Sequence, residues 1–189
     1  EALSGGAPIE PRILEFFYAA GVPVMEGYGM TETMGVGTVN SPDAFRLGTV
    51  GPAAPGVEIR IADDGEILMR GPQIFAGYWK NERATREVLD DDGWLHTGDL
   101  GAIDDDGFLS ITGRKKDIII TAGGKNITPA NLENDLKHSP FISQAVMYGD
   151  RRPYPVALVT LDVEVVVPWA QQRGLPGDVD VLAEHPDIH

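Results

Sequence analysis

The apolar positions along this chain change their period twice, and those changes divide it. From Pro11 to Ala20, Ile13, Leu14, Phe16, Phe17 and Ala20 recur at helical spacing and predict a helix with a broad buried face, ended by Gly21. Val22 to Met25 is a short apolar run suited to a buried strand, and Glu26 to Glu32 reads as a glycine-punctuated loop. From about Leu47 to Ile111 the pattern is one of short strands between turns. Val57–Ile61 alternates, Asp63-Asp64-Gly65 supplies a turn, and Glu66–Arg70 returns, which predicts a hairpin. Asn81 is placed to cap a helix reaching about Leu89, Trp94–Leu100 follows, and Ala102-Ile103 with Phe108–Thr112 predicts a second hairpin.

After the charged run Gly113-Arg114-Lys115-Lys116-Asp117 the character changes. Ile118–Thr121 and Ile127 flank a double-glycine turn. Pro129, with Thr128 as cap, opens a helix to His138. Ser143–Tyr148 and Pro155–Val163 predict strands, and Glu164–Arg173 a helix stopped by Gly174. The pattern therefore predicts a strand–helix unit with a small antiparallel β-barrel or sandwich over 1–113, then a small α+β domain over 114–189. The chain opens on Glu1 rather than Met. Residues 183–189 read as the start of a helix whose body is missing, so the chain is expected to be a fragment.

Composition narrows the chemistry. Fifteen Lys and Arg against 29 Asp and Glu give a formal charge of −14, which disfavours nucleic-acid backbones and anionic membranes. An anionic nucleotide remains acceptable where backbone amides, a metal or a few local cations meet it. The absence of cysteine excludes disulfides, thiolate nucleophiles and cysteine zinc sites, and is compatible with a cytoplasmic protein. No apolar run approaches the roughly 18 residues of a membrane span. Histidines 96, 138, 185 and 189 lack metal-ligand spacing, and His96 beside Trp94 reads as structural. The Asp-Asp-Gly turns at 63–65, 91–93 and 105–107 lack the ligand pattern of a calcium loop.

Five short motifs carry chemistry. In EGYGMTET (26–33), Gly27 and Gly29 let backbone approach a ligand, and Tyr28 between them has no side chains beside it to pack on, which suits stacking on a base. Thr31 offers a hydroxyl to a phosphate and Glu32 a hard oxygen to Mg²⁺, although an ordinary turn with a surface tyrosine explains the run equally well. SGGAP (4–8) exposes amides and leaves room for a flat ring, but alone is better read as a strand-to-helix turn. In Thr97-Gly98-Asp99 the carboxylate suits two ribose hydroxyls, although a turn aspartate bonding its own backbone is the simpler reading. Arg114 in GRKKD suits a forked contact with ribose or phosphate, and a solvated linker explains the run as well. Gly123-Gly124-Lys125-Asn126 fails as a phosphate-binding P-loop, because position 119 is Ile and position 126 Asn, and reads as a hairpin turn.

Together and in this order, SGGAP, EGYGMTET, GEILMRGPQIFAGYW, WLHTGDLG and ITGRKKDIIITAGGKNITP resemble the adenylate-forming superfamily, and the wording around 113–133 is most similar to bacterial long-chain fatty-acid–CoA ligases. The match covers about residues 3–165. The resemblance implies the end of a large AMP-binding domain followed by a small mobile domain. It implies activation of a fatty acid by ATP as an acyl-AMP and transfer to coenzyme A. Gly6, Ala7 and Pro8 would line the adenine pocket, Tyr28 stack on adenine, and Gly29 border the acyl pocket. Thr31 would hold the α-phosphate, Glu32 the Mg²⁺, Asp99 and Arg114 the ribose, and Lys116 would be the hinge, with Gly123 and Gly124 lining the pantetheine tunnel. The family's Ser/Thr/Gly-rich phosphate loop and its late lysine, in a segment like Pro-Lys-Thr-x-Ser-Gly-Lys, are not found, so this chain alone is expected to be inactive and to need the N-terminal part of the same protein. A ligase loading a carrier protein differs only in the acceptor. A non-catalytic binding module accounts for the fold signals but not for the order of the motifs.

Overall fold

The computed structural model describes residues 2–7 and 9–185, so Glu1, Pro8 and residues 186–189 lie outside the described residues. The chain divides into two compact units, the first up to Lys116 and the second from Asp117 onward. The three cations Arg114, Lys115 and Lys116, which the sequence reading puts at the start of the second domain, thus belong to the first unit.

In the first unit, β1 (Ala2–Ser4) lies parallel to β2 (Val24–Tyr28), with α1 (Pro11–Ala19) between them, and β3 (Thr38–Val39) pairs antiparallel with β2. Of the apolar stripe on α1 only Leu14 is buried; Ile13, Phe16 and Phe17 are exposed, so the broad buried face expected from sequence is not covered within this chain. The expected loop from Glu26 is instead strand as far as Tyr28, followed by a 3-10 turn at Thr31–Thr33. Its glycines serve the chain's approach to itself. A Cβ on Gly27 would lie 3.1 Å from the Thr38 carbonyl oxygen, and one on Gly29 would lie 2.3 Å from that of Gly35. The second clash leaves no room for any side chain.

β4 (Glu58–Ile61), β5 (Glu66–Arg70), β6 (Leu95–Ile103) and β7 (Leu109–Arg114) form a curled antiparallel sheet in that order, with α2 (Glu82–Val88) between β5 and β6. Asn81 caps α2, its Oδ1 accepting from the Ala84 amide. The pieces expected at 94–100 and 102–103 are one strand, and Gly113-Arg114, expected as linker, is the end of β7. On one face Ile67 and Met69 pack with Leu109 and Tyr28. On the other, the Arg60 and Arg70 guanidinium groups lie over the Trp94 ring, 4.2 and 4.5 Å from its centroid.

Two irregularities shape this sheet. Along β5 and β6, Leu68 pairs with His96 but Glu66 pairs with Leu100, so β6 carries two extra residues around Gly98, whose φ is 74°. Along β6 and β7, Gly101 pairs with Ile111 but Leu100 pairs with Gly113, which leaves Thr112 as one extra residue. The first bulge takes ladder partners from β6, and side chains replace them. The Glu66 carboxylate, 4% exposed, accepts from the Gly98 amide at 2.9 Å, and the Thr97 hydroxyl donates to the Ile67 carbonyl at 2.7 Å. Glu66 also meets His96 Nδ1 at 3.1 Å and Lys115 Nζ at 3.0 Å, and Lys115 reaches Asp64 at 2.6 Å. Burial alone would raise the Glu66 pKa, but the contacts from His96, Lys115 and the Gly98 amide outweigh it and hold the carboxyl below its ordinary value.

The second unit opens with the short hairpin β8 (Ile119–Ile120) and β9 (Asn126–Ile127), followed by α3 (Pro129–Lys137). Thr128 stands at the N-cap of α3 without a capping side-chain bond. β10 (Ile142–Tyr148) and β11 (Val156–Leu161) pair antiparallel, and α4 (Val163–Gln171) packs Val166 and Ala170 against Leu182 of α5 (Val179–Ala183). The helix expected to begin at 183 instead ends there, and residues 186–189 of that stretch lie outside the described residues.

Because the Glu66 pKa is depressed in the folded protein, its contribution is full above the ordinary glutamate value of 4.5 and is lost as pH falls through the lower folded value. Glu66→Gln retains an acceptor for Gly98 but not the charge, and is expected to cost about 1–3 kcal/mol in urea unfolding at neutral pH. That gap is expected to close as the solution is acidified below the ordinary value; a gap unchanged at about pH 3 would show that the charge of Glu66 is not what stabilises the bulge.

Candidate active site

The bulge in β6 presents Thr97, Gly98 and Asp99 to an open cleft of ≈ 670 Å³, all of it within the first unit. Its other walls are Gly29 to Glu32, from the 3-10 turn after β2, and Arg114 to Lys116, where β7 ends in a second 3-10 turn at Lys115–Asp117. Residues more than 80 positions apart in sequence therefore face one volume.

Asp99 is the most enclosed charge in that cleft, at 5% exposure. Its Oδ2 accepts the Tyr28 hydroxyl at 2.6 Å, and its Oδ1 lies 3.2 Å from Arg114 Nε. The Thr112 bulge makes the second contact. Without the extra residue, Gly113 and not Arg114 would stand opposite Asp99. Arg114 keeps more than half its side chain exposed, so the guanidinium can engage Asp99 and a ligand together. Burial first, and then the hydrogen bond to Asp99, push the Tyr28 hydroxyl well above its ordinary pKa, so it stays a donor.

Tyr28 is where the sequence reading needs correction. The ring is only 9% exposed and packs with Ile67, Met69 and Leu109; neighbours on β5 and β7 supply the packing that its flanking glycines lack. It is not an openly presented plate, and its polar end holds Asp99.

On the opposite wall, Glu32 is held by a segment to which the sequence reading gave no role. Its carbonyl accepts from the Phe75 amide at 2.8 Å, and its Oε1 accepts the Tyr78 hydroxyl at 2.6 Å. That bond, and secondarily burial, push the Tyr78 hydroxyl up to about 12. Oε2 takes no hydrogen bond from the described residues. No group of three or more His, Cys, Asp or Glu among the described residues suits a metal ion. A single carboxylate with an open oxygen fits Mg²⁺ shared with substrate phosphates, since that ion keeps waters and uses few protein ligands.

The remaining expected residues are placed as follows. Thr31 and Glu32 line the cleft with Gly29 and Lys116. Gly6 and Ala7 form the bend after β1 and are not among the residues that line the cleft, and Pro8 lies outside the described residues. Gly123 and Gly124 lie in the turn between β8 and β9 of the second unit, and Gly124 needs its positive φ of 79°. Glu66 and Tyr78 were missed. The partners of their side-chain oxygens lie 30 or more positions away, and the one local signal was a glutamate opening the apolar run Ile67–Met69.

Two family models match the chain: AMP-binding enzyme over residues 1–79, and AMP-binding enzyme C-terminal domain over residues 116–172. A long-chain-fatty-acid–CoA ligase of Mycobacterium bovis, FadD15, is 51% identical over 99% of this chain, and the chain spans 31% of that protein's length. Among solved structures, the o-succinylbenzoate CoA synthetase of Bacillus subtilis in complex with the acyl-adenylate intermediate OSB-AMP superposes with a TM-score of 0.77 at 34% identity, covering 90% of this chain and 39% of that one. The same enzyme in complex with ATP and magnesium ion gives 0.75 at 32% identity, over 94% and 40% of the two chains. Motif order, cleft and comparisons agree, and the chain belongs to the AMP-binding, adenylate-forming enzyme family.

Proposed function

We propose that this chain is the carboxy-terminal portion of an AMP-forming acyl-CoA synthetase that activates a fatty acid with ATP and passes the acyl group to coenzyme A. The observation that carries the reading is the convergence of Asp99, Arg114, Thr31 and Glu32 on one cleft. The 51% identity to a long-chain fatty-acid–CoA ligase supports the substrate class.

In this reading, Asp99 accepts hydrogen bonds from the ribose hydroxyls, with Tyr28 and Arg114 fixing its orientation. Gly6 and Ala7 border the purine, and Gly29 borders the acyl chain. Thr31 donates its hydroxyl to the α-phosphate, and Glu32 holds Mg²⁺, which supplies charge neutralisation for the phosphates. The fatty-acid carboxylate oxygen then forms a bond to the α-phosphorus as the bond to pyrophosphate breaks. Both reactants are anions, so alignment and charge neutralisation are what the protein must provide. The thiol of coenzyme A next attacks the acyl carbon, and AMP leaves. Contacts at the ribose lie far from phosphorus, yet their binding energy sets the geometry of the reacting centre.

The second unit is assigned as the mobile C-terminal domain, with Lys116 as hinge and Gly123 and Gly124 lining the pantetheine path in the thioester-forming state. The seam between the units supports this, as does the placement of Lys116 in a short 3-10 turn rather than a strand. A cytoplasmic setting belongs to the same reading. The structural fact beside it is that no helix among the described residues is long and apolar enough to cross a membrane.

Pyrophosphate release by the intact synthetase, measured across acids of increasing length with and without coenzyme A, tests the reading; no acid-dependent release would remove it. Asp99→Asn is expected to lower kcat/KM for ATP about 10- to 100-fold, the range for losing a charged hydrogen-bond partner. Lys116→Pro fixes φ at the pivot and is expected to slow thioester formation about tenfold or more while adenylate formation changes little. Wild-type rates for both half-reactions in that variant would rule out a hinge at 116.

A further inference from the structure

The segment Gly71–Lys80 between β5 and α2 is held from two sides, by Glu32 and by the first turn of α2. On one side the Phe75 amide and the Tyr78 hydroxyl hold Glu32 by backbone and side chain together. On the other, the Tyr78 amide donates to the Thr85 hydroxyl at 2.9 Å, and that hydroxyl donates to the Asn81 carbonyl at 2.9 Å. Gly77 permits the approach, because a Cβ there would lie 2.7 Å from Thr85 Cγ2. The Phe75 and Tyr78 rings meet edge to face, with centroids 4.9 Å apart. The first turn of α2 thus fixes the Tyr78 backbone, the Phe75 ring packs its side chain, and the phenol end is delivered to Glu32.

We propose that Tyr78 is a positioning residue for the Glu32 carboxylate, occupying Oε1 so that Oε2 is oriented toward a divalent cation shared with the nucleotide phosphates. The inference rests on the reading of Glu32 as the Mg²⁺ ligand. A lone carboxylate on a three-residue 3-10 turn has rotamer freedom, and a single-carboxylate metal site gains little unless that freedom is removed beforehand. A hydroxyl donating to one oxygen removes it at the cost of one acceptor position, and outer partners of this kind commonly govern metal affinity by 10- to 100-fold. The Tyr78 hydroxyl contacts the Glu32 carboxylate, and Tyr78 is not among the residues lining the cleft, so its effect passes through Glu32.

The test is calorimetric binding of ATP to the intact synthetase, without fatty acid, at zero and at graded Mg²⁺. The readout is the gain in ATP affinity that the metal confers. Tyr78→Phe is expected to reduce that gain about tenfold, with metal-free ATP affinity and thermal midpoint close to wild type. Glu32→Gln runs in parallel. A gain lost in Glu32→Gln but intact, or larger, in Tyr78→Phe overturns the positioning role and leaves the reading of Glu32 standing. A gain intact in both overturns the reading of Glu32 and the inference with it. Should Tyr78→Phe not fold, Thr85→Val carries the test. It removes the acceptor of the Tyr78 amide and is expected to lower the gain a few-fold, and an unchanged gain there overturns the proposal.

Discussion

A strand that bulges by two residues leaves backbone groups without ladder partners, and in a buried sheet those groups must be answered by something other than water. In this protein the answer is the Glu66 carboxylate. It takes the Gly98 amide directly, and the His96 ring and Lys115 ammonium make its own burial tolerable. The bulge is what turns Thr97, Gly98 and Asp99 out of the β5 ladder and toward the cleft. Without an internal acceptor at 66, β6 would gain by returning to regular pairing with β5, and Asp99 would lose its place. The chemistry of the cleft thus depends on a residue that does not line it.

The same economy appears at β7. One extra residue at Thr112 sets Arg114 opposite Asp99, and the strand ends at that point in a short turn. Lys115 is tied to Asp64 and Glu66, so the first unit holds the chain firmly up to the residue before the proposed pivot. A hinge of this kind needs one rigid side, and the ion pairs at 115 supply it. The tyrosines act alike on the two walls. Tyr28 fixes Asp99 and Tyr78 fixes Glu32, in each case through a phenol donating at 2.6 Å to one carboxylate oxygen while the ring is held elsewhere. A hydroxyl on a rigid ring is well suited to this, because it adds no charge and loses little rotamer entropy.

Which parts of this could be read from sequence follows from the range of the interactions. The Asp63-Asp64-Gly65 hairpin, the Asn81 cap and the Pro129 helix start rest on contacts within a few residues, and each has a local residue signal. The motif residues 29, 31, 32, 99 and 114 were found through their order, and the fold brings them to one cleft. The bulges were not legible, because register depends on how two strands match rather than on either one. Tyr28 was misread for a related reason: its sequence neighbours are glycines, but its packing partners are 39 and more positions away on β5 and β7. The glycines at 27 and 29 read in sequence as letting backbone approach a ligand; in the fold they also stand where the chain comes close to itself, near Thr38 and Gly35.

Charge gives the last constraint. With a net formal charge of −14, this chain offers no long-range attraction to an anionic nucleotide, so in the proposed function attraction falls to groups at the cleft itself. Three cations stand there in sequence, but they are not equivalent. Lys115 is paired with Asp64 and Glu66, and those two carboxylates raise its pKa and keep it charged for that structural task. Arg114 shares its guanidinium with Asp99. In the proposed function the phosphates would therefore be met by the Thr31 hydroxyl, by Arg114 and Lys116, which line the cleft, and by a divalent cation on Glu32. In such an arrangement metal affinity, and hence the placing of one carboxylate oxygen, has more influence on nucleotide capture than it would in a strongly basic cleft. That gives the support of Glu32 by the 71–80 segment a functional meaning within the proposed function, beyond packing.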